Sequence, residues 1–136
     1  MIKEAYCSFE VVKLLKEKGF PYSDFIFMYV NKDNRFLTEN EACLLLDKED
    51  YIYHFDDDFI QTWTHQMAMA WLREVHKVVI SIDAHTANHW DGYIDTFEID
   101  ILKNASRIIV PNEVAIHNTY EEAVEAALKY SLENLI

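Results

Sequence analysis

The chain has 136 residues, of which 51% are hydrophobic and 26% charged, and its formal net charge at pH 7 is −12. The length is typical of one domain and 8 Phe, 8 Tyr and 3 Trp can fill a core, so we expect a single folded domain over residues 1–136. The acidic excess repels phosphate backbones and anionic lipids, which argues against direct nucleic-acid binding and favours a basic partner.

The sequence also indicates a compartment. No apolar run approaches the roughly 20 residues that span a bilayer, and residues 1–4 lead into a helical pattern without an apolar signal core. Two cysteines, Cys7 and Cys43, are too few for a disulfide framework. We therefore predict a reduced, cytoplasmic protein that does not bind membranes.

The first elements are a helix and two strands. Residues 8–18 have helical apolar spacing, with Ser8 placed as the N-cap and Gly19 placed to end the helix. Residues 24–30 are rich in aromatic and β-branched side chains and predict a strand. A polar turn then leads to a second strand near residues 35–38.

The following segment, residues 39–58, is strongly acidic. It carries eight carboxylates against Lys48 alone, which is a net charge of −7. Its residues 42–46 are compatible with helix or strand, and residues 51–55 predict a strand that stops at three consecutive aspartates.

The third quarter of the chain predicts a helix and a β-hairpin. The helix is expected to run from Thr62 or Thr64 to His76, and residues 77–84 and 93–101 alternate as two strands. The predicted apolar face of this helix consists of Met67, Ala68, Trp71, Leu72 and Val75.

The final element is a helix that begins at a capping box. Thr119 and Glu122 have the required spacing, while residues 107–110 before them predict a short edge strand that ends at Pro111. The predicted buried face of the helix consists of Tyr120, Val124, Ala127, Leu128, Ser131 and Leu135. The same stripe also allows a homodimer with its contact near Leu128, Leu132 and Leu135.

Together these elements predict an α+β fold. We expect an antiparallel β-sheet of about 4–6 strands with about three helices packed mainly on one face. Residues 102–117 are the part that the sequence defines least.

Several enzyme classes are excluded by glycine content. With 2 glycines the chain lacks a phosphate-binding loop, a dinucleotide-binding fingerprint and a nucleophile elbow. The two cysteines lack a neighbouring base or a CxxC spacing that would activate a thiol. We expect no cofactor.

One cluster has metal-ligand chemistry. His85, His89 and Asp91 combine imidazoles with a carboxylate, a set that suits zinc and related divalent ions. The cluster falls in a predicted hairpin loop, where exposed histidines without a metal are the simpler interpretation. Nearby, Glu98 and Asp100 are predicted to share one strand face, a pairing that general acid–base chemistry uses.

A second candidate site is the acidic segment. The predicted partner-binding residues are Glu49, Asp50, Asp56, Asp57 and Asp58. Their carboxylates could bind a basic protein, although a solvated charge run without a ligand is the simpler interpretation. The segment lacks the glycine turn and distal glutamate of an EF-hand loop.

Three segments carry a resemblance to a known family. They are residues 8–20, 62–82 (TWTHQMAMAWLREVHKVVISI) and 118–136 (NTYEEAVEAALKYSLENLI). Together they resemble a family of small uncharacterised proteins encoded in prophages and other mobile elements of gut anaerobic bacteria. Family members more often have Cys at the position of Ser131. The resemblance implies a mobile-element context and no particular reaction.

These observations lead to three hypotheses of function. The first is a non-catalytic accessory protein of a phage or mobile element that binds another protein. The second is an acidic inhibitor that imitates DNA and occupies a host DNA-processing or defence protein. The third is a divalent-metal hydrolase that uses His85, His89 and a nearby aspartate.

Overall fold

The fold was analysed in a computed structural model of the chain. It describes residues 5–21, 28–38, 40–41, 59–86 and 96–136. The described residues form helices and antiparallel sheets, which confirms the predicted α+β class. The strands belong to two sheets, where the sequence predicted one.

The chain divides into two compact units, Met1–Thr64 and His65–Ile136. The single domain over residues 1–136 remains a prediction. In the first unit the elements are α1 (Phe9–Glu17), β1 (Met28–Asn31), β2 (Phe36–Thr38) and β3 (Phe59–Gln61). In the second unit they are α2 (His65–His76), β4 (Val78–His85), β5 (Thr96–Lys103), β6 (Ser106–Ile108), α3 (Asn112–Ala115), β7 (Ile116–His117) and α4 (Tyr120–Asn134).

Helix α1 has the ends that its sequence predicts. The Ser8 hydroxyl accepts a hydrogen bond from the Val11 amide at 3.3 Å, which satisfies an otherwise free amide of the first turn. After the helix, Gly19 has a φ of +90°, a left-handed conformation that glycine adopts without a steric penalty. Val11, Val12 and Leu15 are buried along one face.

The sheet of the first unit has the strand order β2-β1-β3, with antiparallel pairing throughout. Strand β3 is not predicted by the sequence, because it is only three residues long and follows the aspartate run. All three of its residues are buried. The predicted strand at residues 51–55 and residues 42–46 lie outside the described residues.

Helix α2 begins where the sequence predicts but buries a narrower face. His65, Ala68 and Leu72 are buried, whereas Met67 and Val75 are exposed. Met67 and Val75 of the predicted apolar face thus lie on its solvent-exposed part. Helical periodicity alone could not locate the width of the buried stripe.

Helix α4 is capped as predicted, since the Thr119 hydroxyl accepts a hydrogen bond from the Glu122 amide at 3.1 Å. Tyr120 is exposed, which corrects its predicted burial, and its ring stacks edge-on against Phe97. Leu128 and Leu132 are fully buried, so this part of the stripe belongs to the core of the protein. The homodimer remains a prediction.

Candidate binding surface

The sheet of the second unit has two chemically different faces. Strands β4 and β5 pair antiparallel over eight residues, with Ile80 opposite Ile101 and Ile82 opposite Ile99. Directly paired residues share a face, and side chains alternate along each strand. Val78, Ile99 and Ile101 are buried, and they define the inner face. Helix α4 lies close to β4 and β5.

The opposite face, here called the outer face, is mostly polar. The register assigns to it Val79, Ser81, Asp83 and His85 from β4, Thr96, Glu98, Asp100 and Leu102 from β5, Arg107 from β6, and Ile116 from β7. The prediction that Glu98 and Asp100 share a strand face is confirmed by this register.

One side-chain pair on the outer face joins β4 to β5. Nε2 of His85 lies 2.8 Å from Oε2 of Glu98, and both side chains are about half exposed. The pair is diagonal in the register, because Glu98 lies directly opposite Asp83. At this exposure such a pair contributes at most about 1 kcal/mol.

A second pair joins β5 to β6. Nε of Arg107 lies 3.4 Å from Oδ1 of Asp100, again with both groups accessible to solvent. Within the described ranges the outer face thus carries three carboxylates, those of Asp83, Glu98 and Asp100, against one guanidinium. Asp83 makes no ion pair with any other described residue. The face is therefore acidic and open to solvent.

The predicted metal cluster is only partly described. His85 is the last residue of β4, while His89 and Asp91 lie outside the described residues. In the part of the chain that the structure describes, no third histidine, cysteine or carboxylate joins His85 and Glu98 as a possible ligand. The metal site at His85, His89 and Asp91 remains a prediction.

The predicted acidic binding residues also lie outside the described ranges. These are Glu49, Asp50, Asp56, Asp57 and Asp58. The structure instead reveals the acidic outer face, whose residues come from four separate strands. Strand alternation predicts which residues of one strand share a face. Which residues of the adjacent strands lie beside them depends on the register, which the sequence does not show.

The second unit also contains a buried polar pair, His65 and Glu125, that the sequence did not predict. Nε2 of His65 lies 2.8 Å from Oε1 of Glu125, and only about 5% of the His65 side chain is exposed. Nδ1 of His65 is buried and has no hydrogen-bond partner among the described residues. The contact joins the first residue of α2 to the second turn of α4. No local pattern could have indicated it, since the residues are 60 positions apart.

Comparisons with known proteins identify no relative of this chain. No family model, no curated protein and no solved structure matches the chain. In the described residues, no helix has the length and apolar character needed to cross a membrane.

Proposed function

We propose that this protein is a non-catalytic accessory domain that binds a basic protein through the outer face of its second sheet. The observation that carries the proposal is the placement of Asp83, Glu98 and Asp100 on one solvent-exposed sheet face. Carboxylates presented on a pleated surface attract a cationic partner and speed its association.

The charge of the whole chain supports the same kind of partner. The net charge of −12 gives long-range attraction toward basic surfaces, and the outer face gives a local place for contact. Of the described residues on this face, Arg107 alone offsets the carboxylates permanently, because His85 is charged only when protonated. Nucleic acid and anionic lipid have the same sign of charge as this face and are poor ligands for it.

The resemblance of residues 8–20, 62–82 and 118–136 supports a mobile-element context for this binding role. Two of the segments overlap the helices and strand of the second unit that build its core. The resemblance supplies no partner and no reaction.

Affinity capture from a lysate of the source cells tests the proposal. The bait with Glu98→Gln and Asp100→Asn removes two charges from the outer face. The matched control, Glu121→Gln with Glu122→Gln, removes two charges from the exposed first turn of α4. We expect a basic protein that is retained by the wild type and the control and lost from the outer-face variant. Equal retention by all three baits, or no specific partner, would contradict the proposal.

The DNA-imitating version depends on the acidic segment 39–58, most of which lies outside the described residues. A fourth bait with Asp56, Asp57 and Asp58 changed to Asn separates it from the outer-face version. A DNA-processing partner lost only from this bait would favour DNA imitation.

A further inference from the structure

Two isoleucines of the second unit are unusually exposed. Ile109 directly follows β6 and is 90% exposed, and Ile116 belongs to β7 and is 51% exposed. Ile108, directly before Ile109, pairs with the buried Ile101 of the inner face. Large exposed apolar side chains that lie together on a folded protein mark sites of interaction.

The register places these isoleucines beside the carboxylates. Ile116 lies directly opposite Glu98, and both belong to the outer face. Strands β6 and β7 pair along the same edge of β5, β6 with residues 101–103 and β7 with residues 97–98. Ile109 directly follows β6, and the pairing of Ile108 with Ile101, if continued by one residue, would bring it beside Asp100. Glu98, Asp100, Ile109 and Ile116 are here called the isoleucine–carboxylate surface.

We propose that the isoleucine–carboxylate surface docks a protein segment in which basic side chains flank an apolar one. The inference rests on the proposed function and names the site and the chemistry of the partner. Charge complementarity selects the basic side chains, because the described residues of the outer face carry three carboxylates against one guanidinium. The partner also needs an apolar side chain, because a partner with basic side chains alone would leave the exposed Ile109 and Ile116 in contact with water.

Each part of the surface has a separate role in this docking. The side chains of Glu98 and Asp100 stay 46% and 36% exposed while they contact His85 and Arg107, so their carboxylates can also accept hydrogen bonds from lysine or arginine. Ile109 and Ile116 supply apolar area that a partner side chain can cover. Ion pairs at such exposure give orientation and association rate, and the covered apolar area gives retention.

The test uses two synthetic peptides as probes of the intact protein. One alternates lysine with valine, and the other has every valine replaced by serine. Backbone amide shifts in NMR spectra locate the binding site, and titration gives the dissociation constant of each peptide. We expect the lysine–valine peptide to shift amides of β5, β6 and β7 and to bind about tenfold more tightly than the lysine–serine peptide.

Variants then separate the apolar and charged parts. Ile109→Ser combined with Ile116→Ser is expected to weaken the lysine–valine peptide about tenfold and leave the lysine–serine peptide unchanged. Glu98→Gln with Asp100→Asn is expected to weaken the binding of both peptides.

Two controls, Val75→Ser on the exposed side of α2 and Glu121→Gln with Glu122→Gln on α4, are expected to change either affinity less than about twofold. Ile109→Ser alone keeps the test valid if the double variant misfolds, since this side chain makes little contact with the fold.

Three results would overturn the inference. The first is that the control variants weaken peptide binding as much as the surface variants do. The second is that the peptide shifts amides outside β5, β6 and β7. The third is that the two peptides bind with equal affinity. A lysate partner that the isoleucine variants still retain, but the Glu98→Gln and Asp100→Asn variant loses, would also overturn it while leaving the proposed function intact. Loss of the partner from both sets of variants supports the two together.

Discussion

Nε2 of His65 and Oε1 of Glu125 lie 2.8 Å apart, and this contact links α2 to α4 through two residues that are 60 positions apart in the chain. His65 is buried, whereas about a quarter of the Glu125 side chain reaches solvent. An ionised carboxylate accepts hydrogen bonds and does not donate them, so a carboxylate form of Glu125 pairs with an imidazole that carries its hydrogen on Nε2. The buried ring therefore depends on Glu125 for hydrogen bonding at Nε2.

Replacing Glu125 by Ala is expected to lower the free energy of unfolding by about 1.5–3 kcal/mol, because the buried imidazole loses a charge-assisted hydrogen bond. Glu125→Gln keeps an acceptor oxygen and should cost less. Urea denaturation followed by circular dichroism measures both changes.

The matched control for this prediction is Glu133→Ala on the same helix. Glu133 forms only a solvent-exposed pair with Lys129 at 3.9 Å, which is worth about 0.5 kcal/mol or less. Equal losses for Glu125→Ala and Glu133→Ala would show that the buried contact has no special role in stability.

Asn34 of the first unit combines a backbone role with a side-chain role. Its φ is +59°, and its Oδ1 accepts a hydrogen bond of 3.0 Å from the Phe9 amide at the start of α1. Asn34→Ala is expected to cost about 2 kcal/mol, because it removes a helix-capping acceptor and replaces asparagine, whose short polar side chain tolerates the left-handed region, by alanine, which does not. Asn34→Gly loses the acceptor but adopts this φ freely, so it should cost about 1 kcal/mol.

Thermal unfolding of the two Asn34 variants distinguishes these contributions. Asp33→Ala is the control, since Asp33 is an exposed residue of the same turn and its amide donates to Asn31 rather than to the helix. If Asn34→Gly were as unstable as Asn34→Ala, the positive φ would contribute nothing measurable.

The elements that the sequence predicted well are those with local signals at their ends. Ser8 and Gly19 delimit α1, and Thr119 begins α4, because caps are contacts between residues three or four apart. Alternation in β4 and β5 was also readable, since it depends only on which side chains face the core.

The features that the sequence did not predict depend on distant partners. Strand β3 pairs with β1 across about thirty residues, and its three residues contain too little pattern to reveal it. The position of Ile116 opposite Glu98 requires the chain to return to β5 after α3. The candidate surface therefore follows from strand pairing, which no short stretch of sequence specifies.

Leu132 provides a test of whether the α4 stripe is part of the core. It is fully buried, so Leu132→Ala should lower the free energy of unfolding by about 2–5 kcal/mol through lost apolar contact and a residual cavity. Leu135→Ala, at the partly exposed end of the helix, should cost clearly less. Denaturant titrations at two protein concentrations check this prediction. A midpoint that rises with concentration in the wild type and not in Leu132→Ala would instead indicate a dimer contact.

Ser131 is a polar residue in the same buried stripe. Its side chain is inaccessible to solvent, and its Oγ makes no hydrogen bond within the described part of the chain. A buried hydroxyl without a partner lowers stability, and alanine is the better helix former, so Ser131→Ala should raise the free energy of unfolding by about 1 kcal/mol.

Ser131→Cys replaces the hydroxyl by a weaker polar group and should give a smaller gain in the free energy of unfolding. Ser131→Thr keeps the hydroxyl and adds a methyl group to a filled site, which should cost about 1–3 kcal/mol. Differential scanning calorimetry of the three variants orders them, and a lower melting temperature for Ser131→Ala would mean that the hydroxyl makes a stabilising hydrogen bond.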